Sequence, residues 1–189
     1  MRWQQLFDDL GSQFDAQEAA AERAESASRA RAEMGAVRLA ERLAGALGFP
    51  VGLGVQGAGQ VAGVLSGIGP DWVLLEDGQG REQVVALAAV RTVAGLGRRT
   101  AAPEPAGAVR ARPDLRRALR GLARDRSPVQ LVLDDGGTLT GTLDRVGSDF
   151  VELAVHPSDE PRRRESVQDV RAVVIGAVAV VRTGTPGPG

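Results

Sequence analysis

PVQLVLDDGGTLTGTLDRVGSDFVEL, residues 128–153, decides how the chain is read, because the chain carries it twice. PVGLGVQGAGQVAGVLSGIGPDWVLL, residues 50–75, aligns with it without a gap at a shift of 78 positions. Ten positions are identical: Pro50/Pro128, Val51/Val129, Leu53/Leu131, Gly59/Gly137, Gly63/Gly141, Leu65/Leu143, Gly69/Gly147, Asp71/Asp149, Val73/Val151 and Leu75/Leu153. In the second copy Val129, Leu131 and Leu133 alternate with Gln130 and Val132, the period of a half-buried strand. Asp134–Gly137 (DDGG) is a tight-turn signal, and Leu139, Gly141 and Leu143 then alternate with threonines. A glycine inside a strand marks a sharp bend or a close backbone approach, and Gly63 and Gly141 hold that place in the two copies. A second turn at Val146–Asp149 leads into Phe150–Val155, and a last pair of short strands is expected within Val167–Val181. Ala89–Val93 (AVRTV) matches Asp169–Val173 (DVRAV) if the second copy carries a two-residue insertion.

A helix is expected before each copy. Pro113–Leu115 is a suitable start for one, with Leu115, Leu119 and Leu122 on one face and Arg116, Arg120 and Arg124 on another. Val37, Ala40, Leu43, Ala44 and Leu47 form the corresponding stripe ahead of Gly48 and Pro50. The first 35 residues differ in kind. Trp3, Phe7, Leu10 and Phe14, with Leu6, make an apolar helical face, and an Ala-rich stretch with an i,i+4 Glu25–Arg29 pair comes after it. The organisation that results is a helical extension at 1–35, a first unit at 36–97, a Pro/Ala-rich linker at 98–112, a second unit at 113–182, and a disordered tail at 183–189.

Composition narrows the chemistry. The 189 residues include no Cys, Tyr, Lys or Asn, so all 23 basic residues are Arg and no disulfide, thiolate metal site or cysteine nucleophile exists. The absence of Cys fits a reducing cytoplasm. Met1–Asp15 carries three Asp and no apolar run, unlike a secretory leader. The longest apolar run, Ala172–Val181, is far below the roughly twenty residues that span a bilayer. With 3% aromatic residues, the core must be aliphatic.

Three features invite a reading as sites. Gly52, Gly54 and Gly57 have G-x-G-x-x-G spacing, with Glu76 and Asp77 about twenty residues on, as in a dinucleotide fold. The segment after Gly57 reads as a bent strand, whereas a pyrophosphate site needs a helix opening there, so no cofactor is expected. His156 is the only His and lies in the loop HPSDEPRRR, where it is expected at the surface. Asp71 and Asp149 recur just before an aromatic residue and are expected to accept backbone N–H groups in turns. No base, orienting group and pocket come together, so the chain is not expected to be an enzyme and no metal site is expected. The strongest charge feature runs from Leu96 to Arg126, where nine Arg face three acidic residues, with Arg162, Arg163 and Arg164 forming a further basic loop tip.

The pattern V-x-L-x-x-x-G-x-x-L-x-G-x-L, then a turn, Asp, an aromatic residue and V-x-L, resembles the Sm-like small β-barrel family, which includes the Hfq-like RNA chaperones. It is carried by Val129, Leu131, Gly137, Leu139, Gly141, Leu143, Asp149, Phe150 and Leu153 and their counterparts, about 50 residues in each copy. The resemblance implies an α+β chain: a long N-terminal helix followed by two tandem Sm-like barrels, each preceded by a helix. It also implies association through exposed strand edges, and RNA as a ligand class. The base-reading Asn of Sm proteins has no counterpart here, and the Lys-His pair of Hfq-like proteins falls on Leu87–Ala88 and Val167–Gln168. The familiar RNA site is therefore not expected. Two readings stay open: an assembly or adaptor protein working through Trp3, Phe7, Leu10 and Phe14 and the strand edges, by self-association or with a protein partner, and an RNA-binding protein using Arg116, Arg120, Arg124 and Arg162–Arg164.

Overall fold

The computed structural model describes residues 2–101, 112–157 and 169–183, and within the first helix it describes side chains at position 13 and from 17 onward. The chain divides into two compact units, Met1–Leu39 and Ala40–Gly189. The first unit is built on α1 (Arg2–Ala36). Its described face from Gln17 to Gly35 is exposed, with Glu25 and Arg29 paired at 3.1 Å. Its helical run ends at Ala36, one residue past Gly35, and does not continue into the next helix.

The second unit takes in α2 (Leu39–Ala44) from Ala40 onward and the five strands β1 (Pro50–Val55), β2 (Gly59–Ile68), β3 (Trp72–Glu76), β4 (Glu82–Ala86) and β5 (Val90–Ala94). It repeats the pattern with α3 (Leu115–Asp125), β6 (Pro128–Leu133), β7 (Thr138–Val146), β8 (Phe150–Val155), β9 (Asp169–Val174) and β10 (Val178–Thr183). The repeat read from the sequence is thus a repeat of structure. Both long strands carry a register shift at the same place, between Leu65 and Gly67 and between Leu143 and Arg145. Gly63 and Gly141 sit where a Cβ would press on the carbonyl oxygens of Glu76 and Ala154, the close approach that a glycine in a strand permits.

The expectation of two Sm-like barrels is overturned. The ten strands of the described residues form one open antiparallel sheet in the order β5-β1-β2-β3-β4-β10-β6-β7-β8-β9. Neither copy closes on itself, because the free side of β4 pairs with β10 of the other copy: Val85 lies opposite Val180, Val84 opposite Val181 and Gln83 opposite Arg182. The ladder groups that could have closed the first copy are used to join the two. β10 is therefore paired on both sides, and its first four residues are buried, as a central strand requires.

The downstream alignment also changes. The short 3₁₀ turns Leu87–Ala89 and Ile175–Ala177 occupy equivalent places, as do β5 and β10, so the copies run 88 positions apart there. The insertion in the second copy is ten residues, not two, and β9 corresponds to β4 instead of to β5.

The core is aliphatic and continuous across both copies, including Leu43, Leu53, Leu65, Leu75 and Val85 from the first and Leu119, Leu131, Leu143, Leu153 and Val180 from the second. One polar pair interrupts it. His156, expected at the surface, is 1% exposed. Its Nε2 lies 2.8 Å from the Thr142 hydroxyl and its Nδ1 2.8 Å from the Pro157 carbonyl oxygen. The carbonyl can only accept, so Nδ1 carries the proton and Nε2 accepts from Thr142. The loop sequence around His156 concealed this, because the residue directly follows β8 and its backbone N–H still donates to the Thr140 carbonyl of β7.

The same architecture explains the glycine triplet. The chain leaves Gly57 into β2, with no helix to meet a phosphate. Asp77 turns β3 into β4: it accepts the backbone N–H groups of Gln79 and Arg81 and pairs with the Arg81 guanidinium at 2.8 Å. Those bonds, led by the Arg81 backbone N–H, hold its carboxyl below the ordinary value. Gly57 itself is at φ +74°, and a Cβ there would collide with the Leu133 carbonyl oxygen at the end of β6. Its role is close approach between the copies, whereas Gly52 has only ordinary contact with Ala94.

The glycines and the buried histidine have measurable consequences for stability. Gly57→Ala combines left-handed strain with that collision and is expected to cost more than the roughly 1–2 kcal/mol of the strain alone, while Gly52→Ala is neutral or stabilises by about 0.4–1 kcal/mol; urea melts of the two variants give the comparison. His156→Leu alone strands the Thr142 hydroxyl and is expected to cost about 1–3 kcal/mol. Adding Thr142→Val should recover much of that loss, and a double variant no better than the single would show that the hydroxyl is not the source.

Candidate functional site

The chemistry-bearing features of the second unit gather at the seam between the copies and at the two ends of the sheet. The seam is held from both sides. On the sheet, Arg182 of β10 donates to the Gln83 and Gln130 side-chain oxygens, each at 3.1 Å, so one guanidinium ties β4 to β6 across the intervening strand. An open groove of about 1260 Å³ lies over this row, lined among others by Arg81, Arg126, Thr140 and Arg182. Its side chains offer hydrogen bonds and charge, and no nucleophile is paired with a base. Among the described residues no cluster of three or more metal-ligating side chains occurs.

At the margin of the seam, the turn between β2 and β3 reaches α3. Asp71 accepts the Leu115 N–H at 2.8 Å, and the Trp72 indole donates to the Pro113 carbonyl at 2.9 Å. Arg112 adds a bond to the Ile68 carbonyl at 3.1 Å. Asp71 therefore accepts a backbone N–H as anticipated, but the N–H belongs to the helix of the other copy. Asp114 completes the helix start by accepting the Arg117 N–H at 2.8 Å, an N-cap.

Among the described residues the sheet ends in two strands paired on one side only, β5 and β9. β9 exposes apolar side chains, with Val170 54% and Val174 60% accessible, and Phe150 beside it 37%. Its equivalent in the first copy, β4, pairs with β10 and has Ala86 at the Val174 position, 7% exposed. β5 is more polar at its edge: Arg91 and Thr92 are exposed, and Arg91 is bonded to the Ala88 carbonyl and to Gln56.

The basic residues divide into two groups. Arg99 lies over the Phe49 ring at 3.7 Å, Arg124 is beside Asp125 at 3.5 Å, and Arg126 pairs with Asp144 at 2.6 Å. The start of the expected linker, residues 98–101, is bound to α2: Arg42 donates to the Arg99 carbonyl at 2.9 Å, and the Ala101 N–H donates to the Glu41 carbonyl at 3.1 Å. Arg116 and Arg120 share a face of α3 with Arg124, and among the described residues the guanidinium groups of Arg116, Arg117 and Arg120 have no hydrogen bond or ion pair. Arg110 and Arg162–Arg164 lie outside the described residues. Trp3, Phe7, Leu10 and Phe14 fall on α1, and their side chains are outside the described set.

No protein-family model matches the chain, and neither a curated protein nor a solved structure matches it. No helix of the described residues is long and apolar enough to cross a membrane.

The Asp71 bond is testable in isolation. Asp71→Ala is expected to destabilise the second unit by about 1 kcal/mol, the usual cost of a lost helix-start acceptor, and to speed hydrogen exchange in the first turn of α3. Unchanged exchange there would remove Asp71 from the seam's support.

Proposed function

We propose that this protein is a non-catalytic assembly protein whose sheet adds to that of a second copy, β5 of one chain pairing with β9 of the next. The observation that supports this most is the seam. The chain already contains one copy-to-copy pairing, β4 with β10, and its two free edges are the counterparts of those strands. Carrying the seam register over places Thr92 opposite Val173, Val93 opposite Ala172 and Ala94 opposite Arg171. An unpaired edge with exposed valines is a template for strand addition, and head-to-tail pairing of this kind is heterologous, giving a ring or a filament according to whether the rotation closes. The likeness of the repeat motif to a family that associates through strand edges supports the same reading. The apolar stripe of the N-terminal helix (Trp3, Phe7, Leu10, Phe14) offers a second surface, for self-association or a protein partner, and the cytoplasm is the compartment the reading assumes.

Sedimentation velocity tests it. Wild-type chain is expected to form species at multiples of 19.7 kDa as concentration rises. Ala172→Pro and, separately, Val174→Lys should shift it to monomer without lowering its melting temperature. Monomer at every concentration would defeat the proposal.

A second reading, RNA binding, is favoured by one observation. Arg116 and Arg117 stand in the first turn of α3 with no ion pair among the described residues, where positive charge opposes the helix dipole. Helix stability does not account for them. Single-stranded RNA titrated at low salt is expected, on this reading, to bind in a salt-sensitive way and to weaken in Arg116→Ala/Arg120→Ala; no binding at low salt would exclude it.

A further inference from the structure

The corner at Gly147–Phe150 is one half of a contact that the first copy completes. At Gly69–Trp72, the Gly69 N–H donates to the Trp72 carbonyl at 2.8 Å and the Leu87 N–H to the Asp71 carbonyl at 2.9 Å. At Gly147–Phe150 the same bonds recur, Gly147 to Phe150 and Ile175 to Asp149, each at 2.8 Å. In both corners the aromatic ring lies against the glycine, where a Cβ would collide with it. The backbone frame is therefore the same.

The occupants differ. The first corner holds the chain entering α3 through Asp71 and Trp72, and Leu115, the first residue of that helix, is 5% exposed. In the second corner, among the described residues, the Asp149 carboxylate accepts only the Ser148 hydroxyl, at 3.1 Å, and Phe150 is 37% exposed. The complementary piece stands ahead of β1. LAERLAG, residues 39–45, repeats LRRALRG, residues 115–121, with Leu39/Leu115, Leu43/Leu119 and Gly45/Gly121 identical. Leu43 and Leu119 are both 1% exposed, so each segment buries the same leucine. Leu39 is 49% exposed, against 5% for its twin.

We infer that the Asp149–Phe150 corner of one chain receives the Leu39 segment of a second copy, as the Asp71–Trp72 corner receives Leu115 within the chain. This rests on the edge-pairing reading and deepens it. A second copy that adds β5 to β9 in the seam register brings its own leading segment to that corner, because the unit that adds β10 to β4 brings α3 to the first corner. The contact sets direction: only the β9 end has the open corner, and only the β5 end has the exposed leucine. Phe150 lacks the indole N–H of Trp72, so this junction has fewer hydrogen bonds than the internal one, which makes it the weaker and the reversible joint of the two.

The cysteine-free chain allows a direct test. Arg38→Cys and Ser148→Cys, combined in the full chain, retain Leu39, Asp149 and Phe150 and place one thiol beside each half of the contact. A short, flexible bismaleimide is expected to give covalent dimers and higher multiples in the double variant and covalent dimers in an equimolar mixture of the two single variants, but no cross-link in either single variant alone. Asp149→Ala and Leu39→Glu are each expected to weaken association by about fivefold or more in sedimentation, the scale of a lost helix-start acceptor, with melting temperatures unchanged. Wild-type multimers that Ala172→Pro dissolves, with no cross-link and no effect of Asp149→Ala or Leu39→Glu, would overturn this inference while leaving edge pairing intact. A monomeric wild-type chain would overturn both.

Discussion

The ladder between β4 and β10 is the constraint on which the rest of the second unit depends. Once Val84 and Val85 pair with Val181 and Val180, β4 cannot pair elsewhere, neither copy can close, and β10 becomes a central strand buried along most of its length. The polar row of Arg182, Gln83 and Gln130 lies in the same register and fixes it with directional bonds. Slipping a strand by one residue turns its whole inward face outward and would part Arg182 from Gln83 and Gln130.

Glycine and aspartate place the two copies around that ladder. Gly57 lets the first hairpin turn touch the turn after β6, and Asp71 and Trp72 capture the helix that leads the second copy. Each is a first-copy residue whose partner lies in the second. The second copy keeps the aspartate and an aromatic residue, yet among the described residues nothing of its own chain fills the corner they make. Its edge strand exposes Val174 where the first copy buries Ala86, and exposes Val170 where the first copy has the exposed but charged Glu82.

The strands were legible in the sequence because their signals are local. Alternation at Val129–Leu133, the DDGG turn and the paired glycines at 63 and 141 each act within a few residues, and the structure obeys them. Which strand pairs with which was not legible, since Val180 and Val85 lie almost a hundred positions apart and no local signal distinguishes a free edge from a joined one. The barrels failed for this reason: a curved five-strand unit reads the same whether it closes or opens onto a neighbour. The late alignment failed because DVRAV at 169–173 resembles AVRTV more than the true counterpart at 177–181, AVAVV, does. His156 failed because loop composition outweighed one residue's place at a strand end, although Thr142 in the facing strand was a signal that its ring had a partner. Of the candidate sites, the arginines of α3 were found by charge and spacing, and the structure separates Arg124 and Arg126, which pair with carboxylates, from Arg116 and Arg120. Asp71 was recognised as an acceptor of a backbone N–H, but the donor across the seam needs the fold to be seen, and the Asp149 carboxylate accepts the Ser148 hydroxyl instead. The sheet edges could be anticipated only as a class, and their identity, β5 and β9, comes from the strand order.

The sharpest test is hydrogen exchange read on the peptides covering β4 and β9. These strands are equivalent by position and differ in whether the free side is covered. Protection of β4 is expected at every protein concentration, whereas β9 should exchange quickly in dilute solution and become protected as concentration rises. Equal exchange in the two strands in dilute solution would contradict the continuous sheet, and a β9 signal that ignores concentration would contradict its role as the open joint.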